Sequence, residues 1–183
     1  MIGLLGGAFD PPHIGHIALA DAAERQLGLE HVVVVVVADP GHKDVHCPAE
    51  TRLALARAAF PGRDVELDRH ARTVDMLREG RWDDPVFLVG ADEFADFLDW
   101  KEPEGVLELA RLGVASRPGY PRERLEEVLA TLGRPERVLF FEIEPVPVSS
   151  SEIRERVGRG ESVDGLVPAA VAGEIAGRGL YRR

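Results

Sequence analysis

Residues 6–16 read Gly-Gly-Ala-Phe-Asp-Pro-Pro-His-Ile-Gly-His, and they follow a short apolar run at residues 2–5. A helical apolar pattern begins near Gly15 and continues to Leu27, so the order is a buried strand, a glycine-bearing loop and a helix. Glycine lets a backbone approach a bulky anion closely because it carries no Cβ. The amides and the dipole of a helix N-terminus favour negative charge. This stretch therefore predicts a junction that holds phosphate groups.

The paired histidines of this stretch strengthen that interpretation. His13 and His16 are three residues apart where the loop becomes the first helical turn, so both imidazoles can face one side of the helix. A single histidine at such a place would more often satisfy the local backbone, since a short motif is only a hypothesis. Two histidines together with two glycines and Asp-Pro-Pro in one block favour chemistry on phosphates.

The rest of the chain alternates between strand and helix patterns. Residues 32–37 form an uninterrupted β-branched run, which is typical of a strand covered on both faces of a parallel sheet. Further strands are predicted at 64–67, 86–89, 112–115 and 138–143. Helices are predicted at 48–60, 73–78, 94–98, 103–109, 121–132, from 149, and at 168–175. This order predicts an α/β fold, a single doubly wound (Rossmann-like) parallel sheet flanked by helices, as one domain over residues 1–183.

Ligands of such sheets bind beyond the carboxyl ends of the strands, at the point where the strand order reverses. Five segments are predicted to meet at that edge. Their convergence is stronger evidence for a ligand-binding site than any single segment. They are residues 6–16, 39–43, 90–92, 117 and 149–154.

Composition narrows the class of protein. The net charge of −10 disfavours a protein that coats nucleic acid, so an anionic substrate needs a local positive site within an acidic surface. The lone Cys47 excludes an internal disulfide framework and is interpreted as an inert thiol. The apolar run 31–38 is too short to span a bilayer, and the start lacks a basic leader, so we expect a cytoplasmic enzyme.

The opening block resembles the Gly-Gly-x-Phe-Asp-Pro-x-His-x-Gly-His signature of the nucleotidyltransferase superfamily. Nearly the whole chain is similar to the nicotinate-nucleotide adenylyltransferase family. The segments that carry this resemblance are residues 6–16, 40–43, 50–53, 73–75, 89–92, 100, 117–119, 149–154, 166–168 and 179–181. The resemblance implies transfer of the adenylyl group of ATP to nicotinate mononucleotide, which forms deamido-NAD and pyrophosphate in NAD biosynthesis.

The resemblance also assigns roles to individual residues. The catalytic residues would be His13, His16, Lys43 and Arg154, with His16 nearest the transferring phosphorus. ATP-binding residues would be Gly6, Gly7, Phe9, Asp10, Gly15 and Ser150. Nicotinate mononucleotide would be bound by Thr73, Gly90, Asp92, Trp100 and Arg117, with the ring against Trp100. Mg²⁺ is implied as a cofactor held mainly by ATP phosphates, so no dedicated metal cage is expected in the protein.

The chain departs from the family pattern at several positions. Ala8 stands where a serine or threonine hydroxyl is usual, and Met76 replaces a second threonine. Residues 71–72, Ala-Arg, replace the usual Ser-Tyr before Thr73, and Lys101 occupies a position where an aromatic residue is common. These changes put details of phosphate and acceptor binding in question and leave the reaction class unchanged.

Selectivity for nicotinate needs hydrogen-bond donors around its carboxylate, where nicotinamide has an amide. Thr73 offers a hydroxyl, the backbone after Trp100 offers amides, and Arg72 or Lys101 would add positive charge. Long charged side chains beside a loop usually point to water. The sequence therefore ranks Thr73 and the amides above the two cations.

Other interpretations compete with this one. An adenylyltransferase acting on nicotinamide mononucleotide or phosphopantetheine would share the same motifs. The sequence His-Ile-Gly-His also matches a signature of class I aminoacyl-tRNA synthetases, but this chain has two lysines and no room for an anticodon-binding region. A non-enzymatic nucleotide-binding module is disfavoured by the four catalytic candidates. The sequence allows a homo-oligomer and does not indicate its size.

Overall fold

The computed structural model describes residues 1–41, 44–116 and 120–182. Within these ranges, six β-strands alternate with eight α-helices. The strands are β1 (Ile2–Gly7), β2 (His31–Val37), β3 (Val65–Asp68), β4 (Val86–Gly90), β5 (Arg111–Ser116) and β6 (Val138–Glu142). The helices are α1 (Ile14–Leu27), α2 (Ala49–Ala59), α3 (Thr73–Leu77), α4 (Ala91–Ala95), α5 (Pro103–Leu109), α6 (Arg122–Thr131), α7 (Ser150–Gly158) and α8 (Ala169–Arg178). Short 3₁₀ turns occupy Phe97–Asp99 and Pro135–Arg137.

The six strands form one parallel sheet in the order β3-β2-β1-β4-β5-β6. The chain starts in the middle, builds β2 and β3 outward on one side, and returns to place β4 against the other edge of β1. The strand order therefore reverses between β1 and β4, where a ligand-binding crevice forms in doubly wound sheets. The predicted fold class is confirmed.

Two apolar cores lie on the two faces of the sheet. Val32, Val34 and Val36 of β2 belong to one core, and Val33 and Val35 belong to the other. All five side chains are buried, because successive residues of a strand point to opposite faces and both faces are covered by helices. The β-branched run predicted this two-sided burial, and the prediction is confirmed.

Two of the predicted helices have a boundary three residues away from its predicted position. The helix expected at 94–98 begins earlier, at Ala91, directly after β4. Gly90 has an extended backbone there, and its amide donates to the Glu93 carboxylate at 3.3 Å, so the helix starts as soon as the strand ends. The last helix continues to Arg178 and ends at Gly179, which adopts the left-handed conformation that favours glycine. No helix in the described part of the chain is both long enough and apolar enough to cross a membrane.

Candidate active site

The two histidines of the opening block pack against each other at the start of α1. Their ring centroids are 3.7 Å apart, and the backbone amide of His13 donates to Nδ1 of His16 at 3.1 Å. A ring nitrogen that accepts a hydrogen bond carries no proton, so the His16 ring bears its proton on Nε2. The local backbone thus fixes the tautomer of His16 and makes Nε2–H a hydrogen-bond donor.

His13 is partly buried. Burial lowers the pKa of His13 to about 4, so its ring is neutral at physiological pH. Its Nδ1 atom is buried and has no hydrogen-bond partner among the described residues. A Cβ atom at Gly15 would lie 3.0 Å from that Nδ1 atom, which is closer than normal packing allows. Glycine at position 15 is therefore needed for the position of His13.

Phe9 lies beneath the histidine pair, in the core. Its side chain is 2% exposed, and its ring centroid is 5.0 Å from that of His16 and 6.0 Å from that of Phe60. Its backbone has a φ of 52°, which turns the loop sharply after β1. The sequence proposed Phe9 as an ATP-binding residue. The structure buries its side chain against His16 and Phe60, and the ATP-binding role of Phe9 stays a prediction.

Asp10, another proposed ATP-binding residue, is also buried, with 3% of its surface exposed. Its carboxylate accepts a 2.6 Å hydrogen bond from the Tyr181 hydroxyl and bonds from the backbone amides of His46 and Cys47. These contacts join the phosphate loop to the segment after β2 and to the C-terminal segment. The Asp10 side chain therefore ties these segments together, and the ATP-binding role of Asp10 stays a prediction.

The start of α7 is attached to the same loop. The Ser149 hydroxyl caps the helix by accepting from the Glu152 amide at 3.1 Å. Ser150 donates to the carbonyl of Pro11, and Arg154 donates from Nη1 to the carbonyl of Asp10, both at 2.8 Å. Arg154 is thus brought beside the histidine pair, although it is more than 130 residues away in sequence.

A cavity of about 750 Å³ opens at the carboxyl edge of β1, β2, β3 and β4. Its lining includes five of the predicted site residues, namely Gly6, Gly7, Thr73, Asp92 and Trp100. Trp100 packs edge-on against Phe87 and Phe97, with centroid distances of 6.1 and 5.3 Å. Trp100 also lines the cavity, so this side chain both packs against the core and forms part of the cavity wall.

Other predicted residues lie around this cavity or outside the described ranges. Asp92 accepts a hydrogen bond from the Tyr120 hydroxyl at 3.1 Å. Gly90 precedes α4 and does not line the cavity. The predictions for Lys43 and Arg117 fall on residues outside the described ranges.

The sequence analysis assigned no role to Arg52, which holds together the loops around the candidate site. Its side chain is fully buried and donates to four backbone carbonyls. The acceptors are the carbonyls of Cys47 at 3.1 Å, Ala8 at 2.7 Å, Val37 at 2.8 Å and Ala38 at 2.7 Å. The available signal was an arginine beside the apolar positions of a predicted helix, where a charged residue is rarely buried without partners.

His70 is a second residue that the sequence reasoning missed. It lines the cavity, with Nδ1 2.7 Å from the buried Asp68 carboxylate and Nε2 3.4 Å from Glu79. The hydrogen bond to Asp68 raises the pKa of His70. Both ring nitrogens face carboxylates, so the doubly protonated ring suits this position.

The Nε2–H group of His16 and the guanidinium of Arg154 are hydrogen-bond donors, which suit phosphate oxygens. In the described ranges, no group of three or more His, Cys, Asp or Glu side chains is arranged to hold a metal ion.

Comparison with known proteins identifies the family of this chain. The model of the family described as cytidylyltransferase-like matches residues 4–156. A Thermus thermophilus protein is 42% identical over 193 residues, which cover 99% of each chain. A Rubrobacter xylanophilus protein is 37% identical over 199 residues, covering 99% of this chain and 92% of that protein. Both carry the name "probable nicotinate-nucleotide adenylyltransferase".

A solved structure shares the fold. The Plasmodium falciparum nicotinic acid mononucleotide adenylyltransferase complexed with NaAD superposes with a TM-score of 0.74 at 17% identity, covering 98% of this chain and 96% of that one. The fold, the matched family model and the full-length relatives confirm the resemblance drawn from the sequence motifs. The chain belongs to the nicotinate-nucleotide adenylyltransferase family.

Proposed function

We propose that this protein transfers the adenylyl group of ATP to nicotinate mononucleotide, releasing pyrophosphate and forming deamido-NAD. The observation that carries the proposal is the histidine pair at the β1–α1 junction, with Arg154 bonded to the same loop and an acceptor-sized cavity beside it at the switch point. Full-length relatives with this name support the choice of acceptor.

The reaction requires positioning and charge stabilisation more than proton abstraction. The attacking phosphate of the mononucleotide is mostly dianionic near neutrality, because its second pKa is about 6, so no strong general base is needed. The barrier lies in bringing two anions together and stabilising charge on the transferred phosphoryl group. The Nε2–H of His16 supplies a neutral donor whose direction is set by the bond at Nδ1. Arg154 supplies a fixed positive charge, and its guanidinium suits the planar recognition of phosphate oxygens.

We propose that Mg²⁺ enters the site with ATP, bound mainly by phosphate oxygens. The groups around the histidine pair are hydrogen-bond donors and an arginine, and the nearby Asp10 carboxylate already accepts three hydrogen bonds from the protein. These residues fit a metal–nucleotide complex whose ligands come from the nucleotide. Mg²⁺ would lower the charge of the triphosphate. Lys43 and Arg117 remain predicted contacts to ATP and to the acceptor, and the cytoplasm remains the proposed location.

A parallel assay with three acceptors tests the proposal. Pyrophosphate release is measured with ATP and Mg²⁺ in the presence of nicotinate mononucleotide, nicotinamide mononucleotide or phosphopantetheine. We expect kcat/KM to be highest with nicotinate mononucleotide, and chromatography to identify deamido-NAD as the product. A clear preference for either other acceptor would replace the proposed acceptor, and no turnover with any of the three would favour a nucleotide-binding module.

A further inference from the structure

The acceptor cavity is more acidic than an anionic substrate would favour. Five carboxylates line it, belonging to Asp68, Asp92, Glu93, Asp96 and Asp99. Among the described residues, the basic side chains of the same lining are those of His70, Arg72 and Lys101. Asp68 is paired with His70 and Asp96 with Arg124. The lining carboxylates that lack a basic partner disfavour an acceptor carboxylate, so the location of available positive charge decides how it binds.

Two of the three basic side chains are already neutralised by the protein. Lys101 Nζ lies 2.9 and 3.0 Å from the two carboxylate oxygens of Asp75. His70 bonds to Asp68 through Nδ1 and faces Glu79 through Nε2, as described above. A cation that is paired in this way offers little net attraction to a further anion.

Arg72 differs from both. It makes no ion pair with any carboxylate of the described residues, and its Nη1 atom donates at 2.9 Å to the carbonyl of the neighbouring Ala71. The Nη1 atom of Arg72 also lies near the segment after β2, since it would be 3.5 Å from a Cβ atom at Gly41, another residue of the cavity lining. A planar guanidinium has five N–H donors, and most of them remain for a ligand carboxylate, which it can bind in a bidentate way.

The position of Arg72 in the fold indicates which end of the acceptor it can contact. Arg72 precedes Thr73 beyond the end of β3, whereas the histidine pair follows β1, and β2 lies between these two strands. Two strand spacings separate the strand ends by about 10 Å. A mononucleotide whose phosphate reaches the histidine pair therefore has its opposite end, the pyridine carboxylate, available to Arg72.

We propose that Arg72 is a specificity-determining residue of this protein, which binds the carboxylate of the acceptor and selects nicotinate over nicotinamide. The inference rests on the proposed adenylyl transfer to nicotinate mononucleotide. It revises the ranking drawn from the sequence, which placed Arg72 and Lys101 together below Thr73. The structure separates the two cations, because Asp75 occupies Lys101 and no described carboxylate occupies Arg72.

The test compares the ratio of kcat/KM for nicotinate mononucleotide to kcat/KM for nicotinamide mononucleotide. Arg72→Gln removes the charge at similar length, and Arg72→Lys retains the charge without the planar fork. We expect Arg72→Gln to lower the ratio roughly ten- to hundredfold, the usual effect of losing a hydrogen bond to a charged group. Arg72→Lys should lower it less, and the KM for ATP should stay near that of the wild type in both variants.

Arg69→Gln is the matched control, because Arg69 lies three residues earlier, is exposed, pairs with Glu50 and does not line the cavity. Its ratio should equal that of the wild type. An unchanged ratio in Arg72→Gln would overturn the inference, as would an equal loss with both mononucleotides, which would indicate contact with their shared phosphate. A larger loss in Lys101→Ala than in Arg72→Gln would also overturn it.

The same experiment separates failure of this inference from failure of the proposed function. Wild-type protein that does not use nicotinate mononucleotide contradicts the proposed function itself. Wild-type protein that prefers nicotinate, while Arg72→Gln keeps that preference, contradicts only the role of Arg72. Wild-type protein that uses both mononucleotides equally would overturn carboxylate selection by Arg72 and leave adenylyl transfer intact.

Discussion

His16 shows how the backbone prepares a single side chain for chemistry. Its Nδ1 atom accepts from the His13 amide, and its ring packs on Phe9, so both the tautomer and the direction of the ring are fixed before substrate binds. A donor that is fixed in advance stabilises charge in the transition state without reorganisation at the moment of reaction. A mobile His16 ring would stabilise the transition state less.

Replacing His16 with alanine should therefore slow the chemical step. We expect kcat to fall by about 10²-fold or more, as for other donors to a transition state, with a much smaller change in KM. Steady-state kinetics with both substrates, supported by single-turnover measurements, would separate these effects. A large increase in KM at unchanged kcat would instead identify His16 as a residue that binds the ground state.

His13 makes stability depend on pH. Its pKa is about 4 in the folded protein and about 6.5 when exposed, because burial disfavours the charged ring. Between these values the unfolded chain binds a proton that the folded protein does not, so stability falls as the pH drops from 6.5 to 4. The loss attributable to His13 is at most about 3 kcal/mol, at about 1.4 kcal/mol per pKa unit.

A neutral substitute should remove this part of the pH dependence. We expect the free energy of unfolding of His13→Asn to decline less than that of the wild type between pH 6.5 and 4, as measured by urea denaturation. His31→Asn provides the control, since His31 is exposed at the start of β2. Parallel curves for His13→Asn and the wild type would show that His13 accepts a proton easily in the folded state.

At the scale of elements, Arg52 joins helix α2 to the ends of two strands. Its guanidinium donates to carbonyls after β1, at the end of β2 and in the segment that precedes α2. The carbonyls of Ala8, Val37 and Ala38 lie where β1 and β2 end, and that of Cys47 lies just before α2. Buried carbonyls need donors, and Arg52 supplies them. One arginine thereby holds together the loops that carry the phosphate-binding residues.

Arg52→Met should destabilise the protein strongly, because it leaves buried carbonyls without donors. We expect the free energy of unfolding to fall by about 3 kcal/mol or more. Losses of this size are usual when one partner of a buried polar network is removed. Arg57→Met, at an exposed position on the same helix, should change it by less than about 0.5 kcal/mol. Equal effects of the two substitutions would show that solvent replaces Arg52 at these carbonyls.

At the scale of the whole molecule, the two ends of the chain meet at Asp10. The Tyr181 hydroxyl donates to a carboxylate 171 residues earlier, Ser150 donates to the carbonyl of Pro11, and Arg154 donates to the carbonyl of Asp10. Burial together with this hydrogen bond raises the pKa of Tyr181, so the hydroxyl stays a donor at neutral pH. The phosphate loop is thus closed on several sides by segments distant in sequence.

Tyr181→Phe tests this coupling. Loss of a hydrogen bond to a charged group should reduce the free energy of unfolding by about 1.5–3 kcal/mol. In a double-mutant cycle, Asp10→Asn combined with Tyr181→Phe should cost less than the sum of the single substitutions, because each removes the same interaction. Strict additivity of the two effects would show that the hydroxyl and the carboxylate are energetically independent.

The sequence alone determined the features that depend on neighbours along the chain. The β-branched run of β2 indicated a strand covered on both faces, the alternation of patterns indicated a doubly wound sheet, and the glycines and histidines of residues 6–16 marked the phosphate junction. The predictions of the two-sided strand and of the sheet are confirmed, because hydrophobic period and turn chemistry are set by a few consecutive residues. The phosphate-binding role of the junction stays a prediction.

Only the tertiary structure decided which polar groups are bonded within the protein and which can still bind a ligand. The side chains of Asp10 and Phe9 contact Tyr181 and Phe60, partners far away in sequence that the motif does not reveal. Arg72 and Lys101 look equivalent as isolated cations, yet Asp75 neutralises Lys101 and leaves Arg72 without an ion pair among the described residues. Such pairings depend on strand order and on residues brought together across the sheet, and a local sequence pattern does not specify them.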